Sequence, residues 1–496
     1  MLDFELPPYA LEAAVAVAVA LGLLVFWTSK DTPLPGPVEL PLLANGLEVQ
    51  HHLHRLLYYV LDKSREYGKT WTFKIPFVPR FVVVLDRDST FHILKSHFKN
   101  YEKGPMFHEN LKDLLGDGIF NSDGHRWYVQ RKTASHLFSS RMLETVMLPV
   151  FEKHTDTVCE QLAAAAKAGT EIDMQDTFFR FTLDSIGEIG FGAPIGSLED
   201  PENPFAKAFD GAQFIAEKRF FTPLWKLTEP LTSAGASFKR SIEVMDEYSF
   251  KLIKQRRESG DYLTGEDVLS RFMRLKADDG TMAVLHDDKY LRDVVMNFII
   301  AGRDTTAQAL SWAVYMLAQH PEIEARMLAE VEEFFPVGTV PSQAALKSLK
   351  FTRAVVLETL RLWPSVPKDS KQAVADDVLP DGTKIRAGWL VVYVPFVMGR
   401  DEAIWGKDAG EFKPTRFLGS ADPDPYRYPV FNAGDRQCLG KNMALLEAVM
   451  ALACIYRRFH LELVPGQDIQ PLNSLTMPQV KGVRVRAVPR TAVTSA

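Results

Sequence analysis

The pattern of apolar and polar positions opens with a run that is apolar on every face. Residues 13–29, AAVAVAVALGLLVFWTS, form 17 positions without a charge. That is the lower edge of what crosses a hydrocarbon core about 30 Å thick. Glu12 bounds the run on one side and Trp27 and Lys30 on the other, as interfacial residues do. Two short β-rich runs follow, TWTFKIP from Thr70 and RFVVVLD from Arg80, and predict a hairpin. From residue 89 to 363 the period is mostly helical. The longest helix is expected over about 288–320, closed by Pro321, which can open the next helix in its first turn. At 1.5 Å per residue it spans about 50 Å, enough to cross a domain. A helix over 351–363 ends at Pro364, another runs over about 439–457, and short strands are expected near 384–394, 460–464 and 483–488. The predicted class is α+β: mainly helical, with small sheets built from distant segments, in one large domain.

Charge placement orients the apolar run. No Lys or Arg precedes Lys30, whereas Arg55, Lys63 and Arg65 follow it, so the positive-inside rule keeps the body cytoplasmic. A cleaved signal peptide needs a basic leading region, and Asp3 and Glu5 stand there instead. The expected organisation is a single-pass membrane anchor over 1–30, a proline-rich hinge over 31–45 containing the stiff PLPGP spacer, and a body over 46–496.

Composition narrows the function classes. The 496 residues are 46% hydrophobic and 24% charged, the balance of a globular protein with a full core. The net charge of −6 gives no basic excess for nucleic acid, and 32 phenylalanines provide large apolar surfaces for a core or pocket. The three cysteines, Cys159, Cys438 and Cys454, form no CxxC pair, so neither a disulfide scaffold nor a structural zinc site is readable. A reducing compartment follows. HHLH (His51, His52, His54) reads as a polar helix face rather than a metal site, and the GDG at 116–118 as a turn rather than a nucleotide loop. Cys159 and Cys454 lie in helical patterns and read as small core residues.

Cys438 is different. It lies in FNAGDRQCLG (431–440), directly before an apolar helix. A helix N-terminus presents free N–H groups and the positive end of the dipole, both of which favour thiolate. Gly434 and Gly440 allow a tight turn and close approach by something flat. Phe431 shields the sulfur and Arg436 offers a cation. A thiolate in that setting suits thiolate-ligated haem. The skeleton Phe-x-x-Gly-x-Arg-x-Cys-x-Gly resembles that of the cytochrome P-450 haem-thiolate monooxygenases. A chance match to its five fixed positions in this chain is on the order of 10⁻⁴.

The resemblance extends along most of the chain and carries expectations with it. Glu358 and Arg361 in ETLRLWP, with Arg416 in PTRF, are expected to form a buried Glu–Arg–Arg network that holds the cysteine loop. Trp127 and Arg131 in GHRWYVQRK, together with Arg436 and Lys371, would serve the haem propionates. AGRDTT (301–306) lies midway along the longest helix; Gly302 and the threonine hydroxyls would distort it to make room for dioxygen, with Asp304 and Thr305 as an acid–alcohol pair delivering protons. The cofactor implied is haem b, bound non-covalently apart from the Cys438 thiolate–iron bond. Ala301 stands where one group of fatty-acid hydroxylases has a Glu that esterifies haem. Dioxygen is the co-substrate. Electrons come from NADPH through a separate NADPH-cytochrome P-450 reductase, because no flavin or Rossmann fingerprint is present; cytochrome b5 is a second candidate donor. The implied location is the endoplasmic reticulum membrane with the haem domain facing the cytosol.

The stretch 364–388, PSVPKDSKQAVADDVLPDGTKIRAG, with AGRDTT and SLTM (474–477), resembles the plant-type long-chain fatty-acid omega-hydroxylases. Lys368 departs from the acidic residue common there. A terminal methyl C–H is harder to break than those of the internal methylenes, so regiochemistry requires a narrow apolar channel that presents the methyl end. By family position Phe107, Phe298, Ala301, Val366 and Leu475 would line it. The alternative is a terpenoid or sterol hydroxylase with a broader cavity. A hydroperoxide-rearranging enzyme or a haem-binding sensor fits less well, because neither needs the acid–alcohol pair.

Overall fold

The two β-rich runs pair as antiparallel neighbours, with Trp71 opposite Val83. In the computed structural model, which describes residues 34–222, 224–275, 287–336, 338–419 and 422–490, they begin a set of ten strands. These are β1 (Thr70–Phe73), β2 (Phe81–Val84), β3 (Tyr101–Glu102), β4 (Ile172–Asp173), β5 (Asp369–Ala373), β6 (Asp377–Val378), β7 (Lys384–Ile385), β8 (Leu390–Tyr393), β9 (Phe459–Leu463) and β10 (Arg484–Pro489). They form three sheets: β1-β2-β8-β5-β3, β4-β10-β9 and β6-β7. The hairpin strands are buried on both faces; β2 (FVVV) reads as a continuous apolar run, whereas β1 (TWTF) alternates threonine with aromatic residues. The strand expected over 384–394 divides into β7 and β8, because Gly388 turns the backbone with φ +83°.

The helices that carry or back the site are α1 (Gly104–Leu115), α2 (Gly124–Ser135), α3 (Leu148–Ala168), α4 (Met174–Phe191), α5 (Pro204–Lys218), α6 (Ser233–Ser259), α7 (Asp288–Gln319), α8 (Lys350–Leu362) and α9 (Lys441–Tyr456). α7 is the long helix expected from the pattern. The Asp287 carboxylate caps it by accepting from Lys289 N–H, and it ends at Gln319, with His320 left to precede Pro321. Three quarters of its 32 residues, 24, are buried, so it runs through the body.

Buried apolar side chains form two clusters. The larger joins α3, α4, α7 and α9; the smaller surrounds the β1–β2 hairpin and β8. Residues 34–45, the described part of the expected hinge, lie on that hairpin: Thr72 N–H donates to the Pro35 carbonyl, and Arg80 pairs with Glu39 at 2.6 Å. The Asn45 amide also donates to the Val38 carbonyl at 3.1 Å. The expected anchor over 1–30 lies outside the described residues. Among the described residues no helix is long and apolar enough to cross a membrane.

Candidate active site

Ahead of α9 the backbone folds through two single turns, Pro429–Phe431 and Gly434–Arg436. Cys438 N–H donates to the Phe431 carbonyl at 2.8 Å and closes the loop. Gly434 is required here. Its φ is +62°, and a Cβ would lie 2.0 Å from the Leu94 carbonyl oxygen. α9 starts at Lys441 with Gly440 as its N-cap, so Cys438 precedes the first turn by two residues more than the pattern suggested. Burial pushes its thiol up; the N–H groups of Gly440 and Lys441 and the Arg131 guanidinium pull the other way and do not overcome it. The N–H groups ahead of the helix favour the thiolate in part, and a metal on the sulfur would complete it.

The sulfur is accessible because it lines a cavity of about 400 Å³. The cysteine loop, with Phe431, Arg436 and Gly440, forms one wall, and Ala301, Gly302, Thr305 and Thr306 of α7 form another. At one side cations gather. The Arg436 guanidinium lies 4.6 Å from the Trp127 ring centre and that of Arg131 5.8 Å. Arg436 pairs with Asp123 at 2.5 Å, but its Nε is buried without a partner. Arg131 reaches only the Gln437 carbonyl, at 2.8 Å.

Lys371 is fully buried, 3.3 Å from Asp369, and is not among the cavity-lining residues; Lys103, also 2.5 Å from Asp369, is. Burial alone would raise the Asp369 carboxyl, but Lys103 first and Lys371 second hold it far below the usual carboxylate range, while burial pulls the Lys371 ammonium well below its own. Cations thus outnumber carboxylates around a cavity whose wall carries a lone cysteine sulfur. An under-partnered guanidinium beside an aromatic ring completes a donor set that fits a flat, dianionic, thiolate-ligated haem.

Below the loop, Glu358 and Arg361 are both fully buried and form a two-point pair at 2.6 and 2.7 Å. The remaining Arg361 donors go to the carbonyls of Gly399, Ala409 and Glu411. Glu358 also accepts from Lys413 N–H at 2.7 Å and lies 3.4 Å from Arg416. Arg416 in turn donates to the carbonyls of Trp405 and Asp408. One guanidinium thus ties α8 to the backbone at Gly399 and at Ala409 and Glu411.

On the opposite wall α7 runs unbroken through Gly302. A Cβ there would lie 2.6 Å from Ile186, so the glycine serves the close approach of α4 rather than an opening of the helix. Thr305 back-bonds to the Ala301 carbonyl at 2.8 Å, and its own carbonyl accepts from Ser365 at 2.6 Å. Asp304 is buried and does not line the cavity. Burial raises its carboxyl to about 6 against the opposing pull of Arg303, which bridges it (2.9 Å) to the exposed Asp210 of α5 (2.6 Å).

Phe107, Phe298, Ala301, Val366 and Leu475 all line the same cavity. Lys368 does too, and pairs with Glu217 of α5 at 2.8 Å. Two residues escaped the sequence reading. Lys103 is one, because its role depends on β3 meeting β5. Glu447 is the other: it is fully buried in α9, neither carboxylate oxygen completes a hydrogen bond, and burial raises it to about 8 with Thr306 and Ser185 as its polar neighbours. The signal for it was present as the single acid inside an apolar helix.

The family model described as Cytochrome P-450 matches residues 34–483. Cytochrome P-450 704B1 of Arabidopsis thaliana is 34% identical over 497 residues, covering 91% of this chain and 94% of that protein. Cytochrome P-450 704C1 of Pinus taeda is 35% identical over 515 residues, covering 96% and 97%. A cytochrome P-450 monooxygenase of Mycosarcoma maydis, cyp1, is 33% identical over 487 residues, covering 92% and 76%.

Proposed function

We propose, from the premise that this chain belongs to the cytochrome P-450 family, that it is a member that hydroxylates long-chain fatty acids at the omega carbon. That it is a monooxygenase follows from the family. The observation that carries the substrate reading is the cavity's lining. Apolar side chains of the smaller core, Leu56, Val60, Phe73 and Phe81, line it together with Ala301, Thr305 and Cys438. An apolar chain held among them would present its terminal methyl beside Thr305. Phe107, Phe298, Val366 and Leu475 would hold that methyl in place of the weaker C–H bonds of the neighbouring methylenes.

Cys438 would hold haem, with Arg131, Arg436, Trp127 and Lys103 available to its propionates, and the group would supply the binding and reductive activation of dioxygen. The protein's own groups manage protons. Asp210 meets solvent, Arg303 joins it to Asp304, and Asp304 adjoins Thr305, a cavity-lining residue whose hydroxyl donates to the Ala301 carbonyl. A carboxyl raised to about 6 holds a proton at mildly acidic pH and releases it readily. Thr305→Ala and Asp304→Asn are therefore expected to keep haem and substrate binding while losing product per electron consumed by about tenfold or more, general acids contributing about 10²–10⁴. In the unaltered enzyme that ratio should fall as pH rises through about 6, where Asp304 loses its proton; in Asp304→Asn it should be flat. Unchanged ratios in both variants, measured against NADPH consumption, would remove the relay.

The membrane assignment, the 31–45 hinge and the 46–496 haem domain belong to the same proposal. Val38, Leu40, Leu42, Leu43, Leu47 and Phe77 are exposed, and Gly46 abuts Pro76, which brings the two segments into one apolar patch suited to lying against lipid. A fatty-acid substrate is drawn from the same phase. The enzyme faces the cytosol from the endoplasmic reticulum, and NADPH-cytochrome P-450 reductase, with cytochrome b5 as an auxiliary donor, docks on the cysteine side. Incubation of the reductase-reconstituted enzyme with saturated and unsaturated long-chain acids is expected to give terminal alcohols. Turnover of a terpenoid or sterol with no terminal alcohol from any acid would overturn the substrate reading and leave the haem chemistry intact.

A further inference from the structure

Outside the cavity, the segment His92–Ser96 is a π-turn. Its closing bond runs from His97 N–H to the His92 carbonyl at 2.8 Å. In an α-helix, residues five apart point about 140° away from each other. The wider turn brings them to one side, and the His92 and His97 rings stack with centres 3.8 Å apart and planes 17° apart. Single-turn π distortions of this kind are frequent at functional sites. Asp377 of β6 completes the group, its carboxylate 2.8 Å from His92 Nε2. One nitrogen from each histidine and one oxygen of Asp377 lie within 4.8 Å of one another.

We infer that His92, His97 and Asp377 form a binding site for zinc or a zinc-like divalent transition ion. Two imidazole nitrogens and one carboxylate oxygen, with His97 exposed, leave a fourth position for water, the donor set of an open zinc site. Hard cations such as calcium or magnesium would want oxygen throughout. The surroundings orient the carboxylate, and the exposed His97 ring would turn out of the stack to share an ion with His92. The Tyr101 hydroxyl donates to one Asp377 oxygen at 2.9 Å and Val378 N–H to the other at 2.8 Å. The Ser96 hydroxyl engages only one ring nitrogen of His97, at 3.1 Å, leaving the other for a metal. Such supporting bonds orient ligands.

The site's position gives it a consequence. Leu94, inside the turn, places its carbonyl against Gly434, and Lys95 pairs with Asp435 at 2.8 Å. An ion held between the turn and β6 would brace the segment on which the cysteine loop rests. HHLH at 51–54 offered the more obvious histidine cluster in the sequence, yet it gathers no comparable donors among the described residues.

Equilibrium dialysis of the untagged, haem-loaded full-length enzyme against radiolabelled zinc tests this. One zinc per molecule is expected, with affinity lowered about 100-fold or more in His97→Ala and in Asp377→Asn, and unchanged in a His51→Ala/His54→Ala double variant. His97 is exposed, so its replacement does not threaten folding. Zinc should also raise the Tm of the unaltered enzyme and leave that of His97→Ala where it was. Absence of saturable binding, or equal zinc affinity in the unaltered enzyme and His97→Ala, would overturn the site.

Discussion

Cys438→Ala is expected to abolish monooxygenase turnover, a loss of at least about 10³-fold or roughly 4 kcal/mol in the barrier, and to remove the thiolate signature from the haem spectrum. Among the described residues its thiol is the one ionisable sulfur on the cavity wall. The loop around it uses its local hydrogen bonds, including the 2.8 Å bond to Phe431, to hold that atom in place. The other two cysteines are controls. Cys159 and Cys454 are buried in the larger core, with the Cys159 thiol 3.8 Å from the Cys454 carbonyl. Their alanine variants lose a small packing volume and leave the spectrum unchanged. Retained turnover in Cys438→Ala, measured with the reductase present, would refute the ligand assignment.

Arg361→Ala should have the largest effect on stability. It leaves the Glu358 carboxylate fully buried and facing only Lys413 N–H and a more distant Arg416. It also strands the carbonyls of Gly399, Ala409 and Glu411. Breaking a buried pair from one side costs about 3–5 kcal/mol, against a total stability of about 5–15. Burial already raises the Glu358 carboxyl despite Arg361, so in the variant it takes up a proton rather than staying ionised. The expected outcome is a protein that accumulates little in haem-loaded form and unfolds at markedly lower denaturant. Arg361→Lys should resemble it, because an ammonium cannot serve five directed acceptors. Urea unfolding combined with haem content decides the matter; a loss below about 1 kcal/mol would show that the network is ornamental to the fold.

The long-range features of the site were the ones hidden from the sequence. The hairpin, α7 and α8 are continuous local segments, and the helix ends were legible from Pro321 and Pro364. β3 and β4 are two residues each, too short for any period, and β5 reads DSKQA, with no apolar alternation. Because β3 and β5 are distant in sequence, the placement of Lys103 beside Asp369 and of Lys371 behind it could not be inferred locally. The Gly302 expectation failed for a related reason: what the glycine admits is Ile186, from another helix. Cys438, Glu358 and Arg361 were legible because their chemistry depends on spacings within one turn or loop. Glu447 was visible as an exception to an apolar helix, but its contact with α7 was not.

The central claim is that Cys438 is a thiolate ligand to haem. The absorption spectrum of the reduced carbon-monoxide complex tests it most directly, since the Soret position reports the atom opposite carbon monoxide. A red-shifted thiolate-type band, lost in Cys438→Ala, is the predicted result; a histidine-type band in the unaltered enzyme would contradict it.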